Sequence, residues 1–412
     1  MEYAPLLILM LGAACTWPLL AGILRAREVL VIVVPVMAVY GSLSIFFGRS
    51  DSAPVQWWLL LLAVVSIMLG RVFVRGALAY PPNFSVVIRD RFLIWSSLVG
   101  LLSASYLLAT HGVPVLSSNV AVLRVEILSN GYISTIMVAS LQAAIVLALV
   151  GLNADSSFRR NFGLVALALG LIGVILLFGN RGTAVFPLLG VGVFYLLKNY
   201  TKTVPIAISA VLLLAVVSIA GYVRNFTTWG SSYDNDLARM GYEGPIKYFA
   251  PVIDYMTGTS TAMGLILDNI PSKVDFPLGS VFFSPILAPL PGEQPSPGVF
   301  LKHVVGFNFE GFGLAMGGIG GFYMDFGAFG VLVGFLLIGL FAGFVRKRSQ
   351  ADARWTVVLA WLGGHLILMN YAHPLPNFAT IALPFILFAG LRPPQTASEG
   401  LIKAKAAVGK SA

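Results

Sequence analysis

The sequence predicts an all-α polytopic membrane protein with about eleven transmembrane helices and one long external loop. Three observations predict it: 58% of the 412 residues are hydrophobic, only 10% are charged, and the mean hydropathy is +0.88. Soluble domains carry about 25% charged and roughly 45–50% apolar residues. A chain this poor in charge cannot cover a water-soluble globule. That excludes a soluble enzyme, a disordered chain and a collagen-like fibre.

Each predicted span is an apolar run near the length that crosses hydrocarbon, roughly 20 residues. The spans are read at 4–24, 29–47, 57–74, 92–110, 132–152, 162–179, 183–197, 204–223, 326–345, 355–371 and 375–391. The first is not read as a cleaved signal, because Glu2 stands where a basic n-region would be. Within it, Cys15 reads as a small buried residue, and as the sole cysteine it excludes a disulfide within one chain. Spans six and seven are short and form a tight hairpin around Gly179-Asn180-Arg181-Gly182. The segment 224–325 holds apolar stretches such as Val281-Phe282-Phe283 and a proline cluster from Pro285 to Pro297. It is expected to lie on the membrane as short interfacial helices and turns that roof a cavity.

Orientation follows from Lys and Arg in the loops, which concentrate on the cytoplasmic side. With eleven spans, one side holds seventeen of the 26 basic residues, among them Arg89, Arg91, Arg346, Lys347 and Arg348. The other side holds eight: Arg49, Arg124, Arg181, Arg224, Arg239, Lys247, Lys273 and Lys302. Arg71 lies inside span three. The N-terminus is then outside and the C-terminus cytoplasmic. The expected organisation is a bundle of about eight helices over 1–223, an external loop over 224–325, three helices over 326–391 and a basic tail over 392–412. In this setting the net charge of +9 marks cytoplasmic loops, so it is no indication of nucleic-acid binding. Twelve of the seventeen acids fall on the external side, giving that face polar residues of both signs.

Several chemistries are missing. There is no GxxxxGK[ST], no GxGxxG after a strand, no HExxH and no CxxC. His111, His303, His365 and His373 are scattered, so no metal site and no cofactor are expected. No TVGYG-like filter appears, and no helix carries an arginine at every third position. A reaction here must run on the energy of its own substrate.

Five groups of residues could carry chemistry. In 111–131, Ser117, Ser118 and Asn119 precede Arg124 and Glu126. A guanidinium there suits phosphate oxygens, which it grips in a planar fork, with hydroxyl and amide groups for an attached sugar. A local Arg124–Glu126 contact explains the same residues equally well. Arg181 caps the short hairpin and is costly there unless it faces a cavity or snorkels to headgroups. Arg224 occupies a similar rim position ahead of Asp234, Asp236 and Arg239, where solvated loop charges are the plainer account of the acids. The run 302–330 offers His303, Asn308, Glu310, Tyr323 and Asp325 on a glycine-rich frame. Gly313, Gly317 and Gly321 have the spacing of close helix packing. Asp325 reads as a helix N-cap or a cavity-facing base. His365 is placed for a helix–helix hydrogen bond, and His373 for a turn that opens to the external side.

These segments resemble bacterial oligosaccharide repeat-unit polymerases, the Wzy or O-antigen polymerase family. The resemblance rests on Gly112-Val113-Pro114-Val115-Leu116-Ser117 followed by Arg124. It rests also on the Gly179–Gly182 turn and on Tyr323-Met324-Asp325-Phe326-Gly327-Ala328-Phe329-Gly330. The overall layout is similar too. This chain departs from the family at Gly321, where a glutamate often stands. The resemblance implies a GT-C-like membrane glycosyltransferase of the bacterial inner membrane. It would carry out inverting, metal-independent glycosyl transfer at the outer face. The donor would be a growing glycan on undecaprenyl pyrophosphate, and the acceptor a lipid-linked repeat unit of O-antigen or a similar surface polysaccharide. The related O-antigen ligases share the architecture and the type of donor.

Under that expectation Arg124, Arg181 and Arg224 hold the departing pyrophosphate, with Arg239, Ser118, Asn119, Tyr323 and Asp325 completing the binding site. Glu310, His303 and His373 are the candidates for the base that takes the acceptor proton. Membrane lipids and a protein that sets chain length are the expected partners. A transporter or flippase for a polyprenyl-linked solute is the alternative from another class. Reporter fusions check the orientation: alkaline phosphatase fused after residue 51 is active, and a fluorescent protein at the C-terminus is bright. A dark C-terminal reporter with an inactive phosphatase reverses the assignment.

Overall fold

The structure is a computed structural model that describes residues 28–48, 50–74, 82–117, 131–152, 157–179, 181–198, 231–239, 242–287, 296–307, 313–375 and 377–392, with Leu123, Glu126, Ile127, Ile219 and Tyr222. Spans 4–24 and 204–223 therefore lie outside the described residues, apart from Ile219 and Tyr222, which are helical.

The described chain is helical, with one isolated bridge between Ile88 and Leu391. The first six helices are α1 (Leu30–Gly48), α2 (Ala53–Phe73), α3 (Asp90–His111), α4 (Gly131–Val150), α5 (Phe158–Leu177) and α6 (Arg181–Lys198). The middle stretch forms α7 (Ser231–Arg239), α8 (Ala250–Asn269), α9 (Ser284–Leu287) and α10 (Pro297–Val304). The chain then forms α11 (Gly317–Ala351), α12 (Ala353–Leu368) and α13 (Phe378–Gly390). Among the described residues six helices are long and apolar enough to cross a membrane: α1 to α5 and α11. The chain is thus a multi-pass membrane protein by length and composition.

Local chemistry sets the ends. Pro54 opens α2 in its first turn, where a missing N–H costs nothing. Ser157, Asp352 and Asn377 cap α5, α12 and α13 with their side chains, Asn377 accepting from the Thr380 N–H at 2.7 Å. Gly112 ends α3 at φ +82°, a conformation open to glycine.

Two helices form the spine. A Cβ at Gly70 of α2 would overlap the Leu336 carbonyl of α11, and one at Gly339 would overlap the Ile67 carbonyl. The backbones touch because neither helix carries a side chain at the crossing. At the same end Glu28 accepts from Arg71 Nη2 at 2.8 Å and Nε at 3.1 Å, with Arg346 Nε at 3.7 Å. All three side chains are buried. This clasp joins the approach to α1, the end of α2 and the end of α11. Beyond it, Asn83 bonds to Ser349 and Thr356, while Arg354 pairs with Asp352 and lies 4.0 Å above the Phe388 ring. α4 is buried on most of its surface, whereas α5 lies at the periphery. Exposed Trp58, Tyr106 and Tyr132 gather at helix ends, where aromatic rings suit a membrane interface.

Two elements differ from the sequence expectation. The span expected from 326 begins at Gly317, because the glycines at 317–321 pack tightly and not as a loop; the helix kinks at Gly327, φ +64°. The segment expected as short interfacial pieces contains the twenty-residue α8, which packs along α1. The polar face of α8 hides it from a reading based on apolar runs. Tyr40 Oη meets Thr259 Oγ1 at 3.3 Å, Ser44 bonds to the Met256 carbonyl, and Ser260 Oγ donates to Gln56 Oε1 at 2.7 Å.

Overpacking a close helix contact costs typically 1–3 kcal/mol, and breaking a buried ion pair about 3–5. Gly339→Val and Glu28→Gln are therefore expected to lower the melting temperature of the purified protein clearly. Gly192→Ala, where a Cβ meets nothing within 4 Å, is expected to leave it unchanged or raise it slightly. Differential scanning fluorimetry in detergent checks all three.

Candidate functional site

The end of the bundle opposite the Glu28 clasp is where α8, the start of α11 and the turn 369–375 meet. Two features are built there.

The first is a knot around Asp325. Its carboxylate is fully buried and accepts from the Gly279 N–H at 2.9 Å, close to the backbone N–H groups of Val281 and Phe282. The Leu278 N–H donates to the Asp325 carbonyl at 3.3 Å. Asp325 is therefore neither an N-cap of α11, which begins at Gly317, nor open to a cavity. It ties the loop 278–282 to the helix. Phe282 then stacks on Phe322 at 5.0 Å and packs against Phe326 and His373. Tyr323 is half-buried and packs edge-on against Phe276 at 6.2 Å.

His373 sits in this knot. A Cβ at Gly321 would lie 2.7 Å from its Cδ2 and 3.0 Å from its Nε2, so the ring fills the space beside that glycine. The Leu375 N–H donates to His373 Nδ1 at 3.1 Å. Nδ1 also lies 3.2 Å from the Leu375 carbonyl, so it accepts from the N–H or donates to the carbonyl according to the tautomer. Burial pushes the pKa from 6.5 down to about 4; the Leu375 backbone opposes the shift and His365 adds to it. Nε2, beside Gly321, is buried and has no hydrogen-bond partner, so the ring keeps one nitrogen able to give or take a proton. His365 bonds through Nε2 to the Pro374 carbonyl in the turn after its own helix at 2.7 Å and stacks on Trp361 of the same helix, so a helix–turn bond stands where the sequence predicts a helix–helix bond.

The second feature is a pocket between α1, α2, α8 and residues 316–320, with Phe335, Met369 and Asn370 completing it. It spans about 520 Å³, counting its open mouth. Tyr40, Ser44, Gln56, Thr259, Ser260 and Asn370 supply its polar groups. Sequence reasoning missed all six. The available signal was polar residues inside apolar runs, with Tyr40 and Ser44 one turn apart on α1.

The other expected residues are placed as follows. Ser118, Asn119, Arg124, Arg224 and Glu310 lie outside the described residues, as do Asn308 and Cys15. Arg181 is the first residue of α6, and its side chain is not described. His303 is exposed on α10. Arg239 is exposed on α7 and pairs with Asp236 at 3.5 Å. Asp234 instead accepts from Tyr222 Oη at 2.7 Å and from Lys247 Nζ at 3.1 Å. Tyr222 and Lys247 hold the Asp234 carboxyl below its usual value, while Tyr222 and Asp234 raise Lys247 to about 12. Among the described residues no group of His, Cys, Asp and Glu could hold a metal ion. Gly313, Gly317 and Gly321 each mark a close approach, but to different partners: Gly298, the Asn370 carbonyl and the His373–Pro374 turn.

Comparison with family models, with curated proteins and with solved structures returns no match.

The low pKa of His373 gives a stability test. The unfolded ring, near 6.5, takes up its proton before the folded one, near 4. Stability is thus intact above about pH 6.5 and is lost as pH falls toward 4, by about 3 kcal/mol. Melting curves at about pH 7 and about pH 4.5 are expected to differ more for the native protein than for His373→Gln.

Proposed function

We propose that the chain is a membrane glycosyltransferase that polymerises oligosaccharide repeat units carried on undecaprenyl pyrophosphate. The transfer runs at the outer face of the bacterial inner membrane, where the C-terminus is cytoplasmic. The reading is supported by the multi-pass membrane character of the chain and by the motif resemblance of its sequence. The single observation that carries it is the position of Tyr323–Gly330. This stretch lies where α11, the loop 278–283 and the turn 371–375 converge.

In an inverting transfer the acceptor hydroxyl oxygen attacks the anomeric carbon from the face opposite the leaving group. The bond from that carbon to the lipid pyrophosphate breaks, and the departing oxygens take up the electron pair. The acceptor proton goes to a base. The departing charge needs fixed cations in a water-poor site, the role assigned to Arg124, Arg181 and Arg224. Glu310, the exposed His303 and His373 all remain candidates for that base, His373 through Nε2, which has no hydrogen-bond partner. No ATP motif is required, because the lipid pyrophosphate carries its own energy.

One observation favours a second reading. The kink at Gly327 breaks a helix inside the bundle, and Glu28, Arg71 and Arg346 bury charge within it. Broken helices and internal charges are features of transporters. Ligase-type transfer to another acceptor differs from the first reading only in the acceptor.

Purified protein supplied with lipid-linked repeat units in detergent separates the classes. Polymer formed there requires catalysis and no transport. Arg124→Ala and Arg181→Ala are each expected to cut long-chain product about 10²–10³-fold, the usual cost of removing one donor to developing charge. Normal chain lengths in either variant remove that arginine from the site.

A further inference from the structure

We infer that the pocket between α1, α2, α8 and the start of α11 is a subsite for a neutral sugar ring of the acceptor glycan. This rests on the glycosyl-transfer reading and deepens it by separating the sugar from the diphosphate.

Among the described residues the walls carry no carboxylate, amine, guanidinium or imidazole. A diphosphate placed there would be a buried charge without a partner, which proteins avoid. The polar groups are hydroxyls and carboxamides, each able to donate and to accept. Sugar hydroxyls do both as well, so this set matches them. The groups are also held in place before any ligand arrives. Gln56 Nε2 donates to the Ser260 carbonyl at 3.1 Å and to Ser52 Oγ at 3.0 Å, while Ser260 Oγ donates back to Gln56 Oε1. Tyr40 and Thr259 are 3.3 Å apart, and Asn370 Nδ2 donates to the Ile367 carbonyl at 2.9 Å. Such preorganisation lowers the ordering cost of binding.

The rest of the wall suits the C–H face of a ring. Met37, Met263, Met316 and Met369 line it with thioethers that adapt to irregular shapes. Polar side chains from α1, α2, α8 and the 370 turn are costly in a membrane bundle and need not share one hollow. The pocket is also well placed, since Tyr323 follows Gly320 by about one helical turn.

The test uses the full chain in lipid nanodiscs, with Asn370→Cys in a Cys15→Ala background. Maleimide labels the introduced thiol in the presence of methyl hexosides, methyl N-acetylhexosaminides or inorganic pyrophosphate. At least one glycoside is expected to slow labelling about tenfold or more, with pyrophosphate without effect. Saturation-transfer NMR on the unlabelled native chain is expected to detect the same glycoside, with signal lost in Gln56→Leu. Thr259→Val, which keeps the side-chain shape, serves if Gln56→Leu does not fold. Protection by pyrophosphate, protection by nothing, or equal NMR signal in the folded variant overturns the inference. Polymer formation separates this failure from failure of the functional reading. If native protein polymerises while no glycoside binds, the subsite falls and the reading stands. If a glycoside binds but native protein makes no polymer, the reading falls and a sugar site remains.

Discussion

The backbone contact between α2 and α11 at Gly70 and Gly339 is the constraint on which the rest of the structure depends. Lipid offers no hydrophobic drive between helices, so association must come from close packing and internal polar contacts. The glycines supply the first, and the Glu28–Arg71–Arg346 clasp supplies the second. Because α11 runs from that clasp to the opposite end, its position sets where Asp325, Gly321 and the glycine-rich start of the helix lie. The knot and the pocket are built on that end. A shift of α11 against α2 would move both.

The membrane also governs how charge and polarity are divided. Every buried polar group must find its partner inside the protein. Asp325 meets this demand through Oδ1, which accepts from the Gly279 N–H, and His365 through Nε2, which donates to Pro374, while Asp325 Oδ2 and His365 Nδ1 stay without a partner. His373 sets Nδ1 against the Leu375 backbone, leaves Nε2 without a partner and stays neutral because burial disfavours its charged form. The wall of the pocket satisfies its hydroxyls and amides across α1, α2 and α8. Among the described residues, Asp234 on α7 pairs with Lys247 on the segment before α8, apart from the long apolar helices.

Much of the fold was legible in the sequence, because an apolar run of spanning length is a strong signal. The spans expected at 29–47, 57–74, 92–110, 132–152, 162–179, 183–197, 355–371 and 375–391 fall on described helices within a few residues. α8 was not legible as part of the bundle. Its Thr259, Ser260 and Asp254 lower its hydropathy, and only the polar face of α1 opposite it makes the packing favourable. The start of α11 was hidden for a related reason. Glycines weaken a helix in isolation, but contacts with Asn370, Met369 and His373 hold them here. The site was less legible still. Asp325 stood out as an acid at the edge of a span, yet its role depends on a loop 46 residues earlier in the chain. Tyr40, Gln56 and Thr259 come from three separate helices and form no motif along the chain.

The central claim is that one end of the bundle holds sugar in a neutral pocket while guanidinium groups at its rim hold a lipid diphosphate. A density map of the chain in nanodiscs with a lipid-linked repeat unit bound addresses it directly. The account predicts sugar density beside Tyr40, Gln56 and Thr259, with Arg124, Arg181 and Arg224 around the two phosphates. Phosphate density among Glu28, Arg71 and Arg346, or arginines directed at acyl chains with no shared hollow, would contradict it.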